Sequence, residues 1–276
     1  MATIRPLIPA DWPAVVALAE AAAAGRLVGR PLWETEAEAA TELAAPGHRV
    51  FIVADDDDGA VVGMAGFRLL PDGEAEVYGP LAAAEGHGIG AWLEARLTTL
   101  AGLEGAAVLS MLVGLENKSG QAWAEWRGYL RDTEAPELLL AWLYPGELLP
   151  VGDGGGGQVR RALPADLPRI EWLVQECLPG GRHPVGSWLD QAWVVESEGE
   201  VAGCLRFSPF TAQVDYLCVD PARRRRGLGT LLLSEVCRHE SRKVGVAVPL
   251  DDAAPVALVR RLGFRREVPV ARWIRR

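Results

Sequence analysis

Four consecutive arginines followed by two spaced glycines, Arg223-Arg224-Arg225-Arg226-Gly227-Leu228-Gly229-Thr230, are the residues of this 276-residue chain best suited by type and spacing to do chemistry. Guanidinium groups offer bidentate donors to phosphate oxygens, and glycine lets a backbone approach a ligand closely. A β-type run, Gln213-Val214-Asp215-Tyr216-Leu217-Cys218-Val219, precedes the segment, and an apolar run beginning Leu231-Leu232-Leu233 follows it. Such a strand-loop-helix junction presents unpaired amides at the helix start, which attract an anion. Read without their context, the arginines suit a solvated basic turn and the glycines a tight turn equally well.

Asp215 and Tyr216 are the titratable groups nearest this junction and the candidate catalytic pair. Strict alternation along a strand points them to opposite faces, so one of them at most faces a cleft. His183 and His239 are further titratable groups, placed on a loop and a helix face. The cysteines, Cys177, Cys204, Cys218 and Cys237, form no C-x-x-C pair and read as reduced core thiols, with no metal implied. The run Asp55 to Asp58 lacks the remaining ligands of a calcium loop and reads as a solvated hairpin tip.

The elements that must position these groups occur twice. Ile4-Arg5-Pro6-Leu7-Ile8-Pro9-Ala10-Asp11-Trp12-Pro13 is echoed by Val159-Arg160-Arg161-Ala162-Leu163-Pro164-Ala165-Asp166-Leu167-Pro168. Each copy opens with a short strand and then a helix, with Asp11 or Asp166 expected at the N-cap and Pro13 or Pro168 in the first turn. Apolar residues follow at helical spacing: Val15, Leu18 and Ala19, then Ile170, Leu173 and Val174. Hairpins are expected over 50–67 and 192–207, and a third strand over 74–81 and 213–219. Beyond the Gly-containing loop and its helix come a strand (107–113, 244–249), a helix ending at Gly128-Tyr129 or Gly263-Phe264, and a last strand.

The run 151–158, Val-Gly-Asp-Gly-Gly-Gly-Gly-Gln, has linker composition, so the expected domains are 1–150 and 159–276. Residues 1–150 hold 9 Lys+Arg against 22 Asp+Glu, whereas the remainder holds 19 against 15. With an overall net charge of −9 and no aromatics interleaved with the arginines, nucleic-acid binding is not expected. No apolar run approaches the roughly 18 residues of a membrane span, and no signal-like start is present, so a cytoplasmic protein without membrane association is expected.

Taken together these elements resemble the GNAT-type N-acyltransferases. Val219, Pro221, Arg224, Gly227 and Gly229 match that family's acyl-CoA loop, and Leu258, Leu262, Gly263 and Phe264 match its later signature ending L-G-F. The resemblance implies two tandem α+β domains, each a mixed, mostly antiparallel sheet flanked by helices. It implies acetyl-CoA as co-substrate, an amine acceptor and direct acyl transfer, while the acidic first half sets the separate expectation that the amine is cationic. Cofactor contacts are implied for Leu217, Cys218, Val219, Arg224, Arg225, Arg226, Gly227, Leu228, Gly229 and Thr230. A monomer whose domains form an internal pseudo-dimer and a homodimer both stay open.

Departures from the family pattern are as informative. In the first copy Glu85-Gly86-His87-Gly88-Ile89-Gly90 puts a carboxylate where the family has Gln or Arg, which repels a pyrophosphate, so no strong coenzyme site is expected there. Asn117, Gly120, Trp123, Gly128 and Tyr129 keep the second signature readable, with Trp123 and Trp126 expected in a core or interface. In the second copy Gln213 and Val259 stand where the family often has a general-base Glu and a Tyr acid, and Asp252 and Pro255 replace its usual Asn and Ala. A non-catalytic acyl-CoA-binding or sensory module is therefore the competing expectation.

Overall fold

A computed structural model describes residues 3–23, 35–43, 49–70, 73–83, 87–150, 156–178 and 185–276. The chain divides into two compact units, residues 1–137 together with 269–276, and residues 138–268. The division therefore falls ahead of the Gly-rich run 151–158, whose first five residues lie outside the described ones, and the last eight residues return to the first unit.

The first unit contains β1 (Thr3–Pro6), α1 (Trp12–Ala23), α2 (Glu36–Leu43), β2 (Arg49–Asp55), β3 (Val61–Leu69), β4 (Glu74–Ala82), α3 (Ile89–Leu103), β5 (Val108–Gly114), α4 (Lys118–Trp126) and β6 (Leu130–Arg131). Its strands pair antiparallel except β4 with β5, which are parallel. The second unit contains β7 (Leu138–Leu143), β8 (Gln158–Arg161), α5 (Leu167–Cys177), β9 (Ala192–Ser197), β10 (Glu200–Ser208), β11 (Gln213–Val219), α6 (Leu228–His239), β12 (Val244–Pro249) and α7 (Ala253–Leu262). Its order is β8-β9-β10-β11-β12-β7, with β11 and β12 parallel. β13 (Arg265–Arg275) spans the division, and its residues Val270–Arg275 pair antiparallel with β5.

A strand from the opposite half of the sequence thus completes each sheet. β7, directly after β6 in the chain, pairs with β12 over Leu138–Leu143. The end of β13 is fastened into the first unit by arginines: Arg272 pairs with Asp132 at 2.5 Å and with Glu74, and Arg275 with Glu94 at 2.6 Å. Glu94 is fully buried on α3, and Arg127 and Thr98 also donate to it. A buried carboxylate persists only when its charge and lone pairs are met, and here the C-terminal strand helps to meet them.

Both expected first helices bury the expected face: Val15, Ala19, Ile170, Leu173 and Val174 lie inside. Asp11 and Asp166 do something other than cap them. Each closes a 3-10 turn, accepts the amide of Ile8 or Leu163 (2.8 and 2.7 Å), and pairs in a bidentate manner with Arg5 or Arg160 at 2.7–3.0 Å. A charge-assisted fork outcompetes a neutral helix amide for the same carboxylate. Trp123 packs on the first core, whereas Trp126 is 70% exposed and lies outside that core. At the tip of the first hairpin, Asp56 accepts the amides of Asp58 and Ala60, each at 2.9 Å.

Hydrogen bonding from Arg160 holds the Asp166 carboxyl below its ordinary range, and Arg5 does the same for Asp11. Such groups bind fewer protons folded than unfolded, so their contribution is present above the ordinary carboxyl pKa and is lost as pH falls through the depressed value. Asp166→Asn is expected to cost about 2 kcal/mol near neutral pH and to reduce the acid-side loss of stability below about pH 4. Urea unfolding curves across pH check both.

Candidate active site

The second unit opens its sheet at β11. Arg206 of β10 faces Tyr216, yet the next pair is Phe207 with Val214, so Asp215 is the extra residue of a β-bulge. On the other edge, β11 and β12 pair only at Gln213↔Gly245 and Val214↔Val246. From Asp215 onward the two parallel strands part, which leaves a wedge. The Asp220 amide donates to Ala202 of β10 at 2.9 Å, so by alternation the peptide groups of Val219 and Leu217 turn toward the wedge. The Leu217 and Val219 side chains pack on the α6 and α7 side of the sheet, with Cys218 and Tyr216 on the α5 side.

At the end of β11 the chain makes a 3-10 turn over Pro221–Arg223 and enters α6 through Gly227, at φ +79. That left-handed conformation costs an L side chain roughly 1–2 kcal/mol. No side chain caps α6, and its first intrahelical bond is Leu231 to Gly227 at 2.9 Å. The amides of Leu228, Gly229 and Thr230 are therefore left at the helix start, where their partial positive charge suits a diphosphate. A Cβ on Gly229 would meet Leu258, Val219 and Leu217 at 3.6–3.9 Å, ordinary contact, so the packing by itself does not demand glycine there.

The four arginines have separate tasks. Arg223 donates to the Ser197 carbonyl (2.7 Å) and Glu200 (2.6 Å), and Arg226 to Glu198 (3.0 Å), so both grip the β9–β10 hairpin tip. Arg224 donates from Nε to the Val219 carbonyl at 3.2 Å, closing the end of β11. Arg225 is exposed at φ +65 and makes no side-chain hydrogen bond or ion pair with a described residue. Asp220 anchors the turn from below through Ala222 (2.9 Å) and Arg169 (2.5 Å).

Asp215 and Tyr216 do not point to opposite faces. Val214 and Leu217 share the α6–α7 side, and the two residues between them share the other, because a bulge interrupts the two-residue period. Asp215 Oδ2 lies 3.3 Å from Arg206 Nε, and the Arg206 guanidinium lies 5.4 Å from the Trp188 ring and 5.9 Å from Tyr216. Trp188 and Tyr216 themselves meet at 5.7 Å. Neither Trp188 nor Arg206 was singled out from the sequence, since only the fold brings residues 188, 206 and 215 together.

Val259 is buried in the core of the second unit. Asp252 caps α7 through Ala254 (3.0 Å), just as Asn117 caps α4 through Gly120 (2.9 Å), so that replacement preserves the cap. Contact with Cys177 pulls the Cys218 thiol down, but Cys204 and burial outweigh it and hold it at about 12. Cys218 is therefore a thiol at neutral pH. His239 is exposed at the far end of α6, paired with Glu235 at 3.0 Å; His183 lies outside the described residues.

In the first unit the corresponding helix, α3, also starts from a left-handed glycine, Gly88 at φ +74, with Trp92 bonded to its carbonyl at 3.0 Å. β4 likewise leaves β5 after three pairs, Glu74 to Glu76. Register with the neighbouring strand puts Glu76 where the second unit has Gln213, and Glu76 pairs with Arg68 at 2.6 Å. Glu85 and Gly86 lie outside the described residues.

A model of the acetyltransferase (GNAT) family matches residues 12–129, and one of the acetyltransferase (GNAT) domain matches residues 188–266. Among solved structures, the chain is similar to a GCN5-related N-acetyltransferase from Sphaerobacter thermophilus, with TM-score 0.73 and 17% identity over 99% of this chain and 95% of that one. It is also similar to a tandem GNAT protein from the clavulanic acid biosynthesis pathway, with TM-score 0.67 and 20% identity over 100% and 98%. At these identities the likeness is one of fold. No curated protein matches the chain by sequence.

The two loop glycines are expected to differ in stability. Gly227→Ala should cost about 1–2 kcal/mol, whereas Gly229→Ala should stay within about 0.5 kcal/mol of the parent; urea unfolding of both variants checks this.

Proposed function

Both halves of the chain belong to the GNAT acetyltransferase family, and on that premise we propose that the second unit transfers an acetyl group from acetyl-CoA directly to an amine. The observation that carries this reading is the wedge between β11 and β12, continuous with the uncapped start of α6. The amides of Leu228, Gly229 and Thr230 would hold the pyrophosphate, with exposed Arg225 adding charge at the mouth and Arg224 and Arg226 shaping the loop. The Leu217 and Val219 peptide groups would receive the pantetheine arm and orient the acyl carbonyl by a backbone N–H. When bound, the coenzyme supplies an activated thioester.

On the opposite side of the sheet the acceptor amine, arriving as a cation, meets Asp215. Asp215 is the group we assign to take its proton, and Tyr216 and Trp188 form the apolar wall that keeps the amine in line. The released amine lone pair attacks the acyl carbon, the C–N bond forms, the C–S bond breaks, and the second proton shed by the nitrogen passes to the departing thiolate, which leaves as the CoA thiol. Gln213 and Val259 favour a second reading, a module that binds acyl-CoA without turnover, because neither can handle a proton.

Titration with CoA separates the readings from a purely structural role: at 100 times its dissociation constant, the coenzyme should add about 2.7 kcal/mol of stability, and Gly229→Arg should abolish this. With acetyl-CoA and a broad amine panel, free thiol release supports transfer, and Asp215→Asn should then lower kcat by about 10²-fold or more. Coenzyme binding without thiol release would favour the binding module.

A further inference from the structure

We propose that the acceptor is an amino carboxylate, its ammonium held by Asp215 and its carboxylate by Arg206. This rests on the transferase reading above and assigns its substrate class. Arg206 is half-buried within the sheet, beside the bulge that opens the wedge. Its Nε is buried and makes no hydrogen bond; the 3.3 Å approach to Asp215 is an ion pair without hydrogen-bond alignment. The guanidinium also donates no hydrogen bond to any described residue, whereas Arg169, Arg223, Arg224 and Arg226 nearby each donate at least one, and Arg225, which donates none, is exposed rather than buried. Trp188 belongs to the same cluster, is 2% exposed, and its indole Nε1 is also buried without an acceptor.

Buried donors left unpaired are costly, and a cluster holding two of them beside a reaction centre is built for an acceptor group that arrives with the ligand. A carboxylate supplies that group, and the planar guanidinium fork matches it. The cation–π geometry of Arg206 with Trp188 and Tyr216 fixes the fork in place, so little rotamer freedom is lost when an anion binds. Asp215 adjoins Arg206, so the protein presents a negative and a positive group side by side. An ammonium and a carboxylate one or two carbons apart present the opposite pair. A simple amine would leave both buried donors unpaired; a simple carboxylate would meet them but offer no nucleophile.

The test uses the full chain with CoA or acetyl-CoA, the twenty standard amino acids as probes, and each one's α-amide as its own control. In binding by thermal shift with CoA present, and in thiol release with acetyl-CoA, at least one zwitterion should be favoured over its amide by tenfold or more. Arg206→Gln should bring that ratio to within about twofold of unity, and Trp188→Phe, which keeps a ring and removes one donor, should reduce it in part. Amides that bind or react as well as the zwitterions overturn the proposal and leave the transferase reading standing. So does a panel in which no zwitterion outperforms its amide. Zwitterion binding that depends on Arg206, without thiol release from any amine, would support the acceptor class and overturn turnover instead.

Discussion

The separation of two parallel strands after only two residue pairs governs the site. Val214 and Val246 are the last residues at which β11 and β12 are bonded, and the bulge at Asp215 bends β11 away immediately afterwards. Every later feature follows from that divergence. It turns the peptide groups of Leu217 and Val219 toward a gap, where a ligand can receive bonds that a sheet would otherwise consume. It aims the end of β11 at Gly227, whose left-handed backbone starts α6 with its amides facing the same opening. It also brings Asp215 and Tyr216 to one face, opposite the helices that flank the loop. A fully paired β11 would abolish the wedge and the Asp215–Arg206 juxtaposition together.

Charge is arranged around this geometry economically. Four arginines in a row suggest a single polyanion-binding patch, yet three of them are committed to the protein itself: Arg223 and Arg226 to the neighbouring hairpin tip and Arg224 to the strand end. What the junction can offer an anion is mainly its uncapped backbone, with one exposed guanidinium added. The acidic excess of the first 150 residues is likewise partly internal. Glu74, Asp132 and Glu94 receive Arg272 and Arg275 from the final strand, so that the basic C-terminus is the counterpart of acids more than a hundred residues earlier. Because part of that excess is neutralised inside the first unit, the net charge of a half-chain says less about its substrates than the placement of individual groups does.

Much of the architecture was legible in the residues. The repeat beginning Ile4-Arg5 and Val159-Arg160, the hairpins with their acidic turns and the strand 213–219 all stand where periodicity and turn chemistry put them, because each depends on contacts within a few residues. The loop from Val219 to Thr230 was legible for the same reason: glycine at a left-handed position and a proline opening the turn are local requirements. What periodicity misplaced was Asp215, since a one-residue bulge is decided by the partner strand and leaves no mark in the alternation of β11 itself. The roles of Asp11 and Asp166 were hidden in the same way, for the guanidiniums that claim them come from a preceding strand.

The amino-acid sequence by itself determined that there are two copies of one α+β pattern, where their elements lie, and which junction enters a helix through a glycine, because local backbone preference and hydrophobic period act over short distances. Tertiary structure alone decided that each sheet is completed by a strand from the other half, that Arg206, Trp188 and Asp215 form one cluster, and that β11 leaves β12 at Val214. Those outcomes depend on pairing between segments far apart in the chain, where burial and charge satisfaction, rather than local propensity, choose the partner.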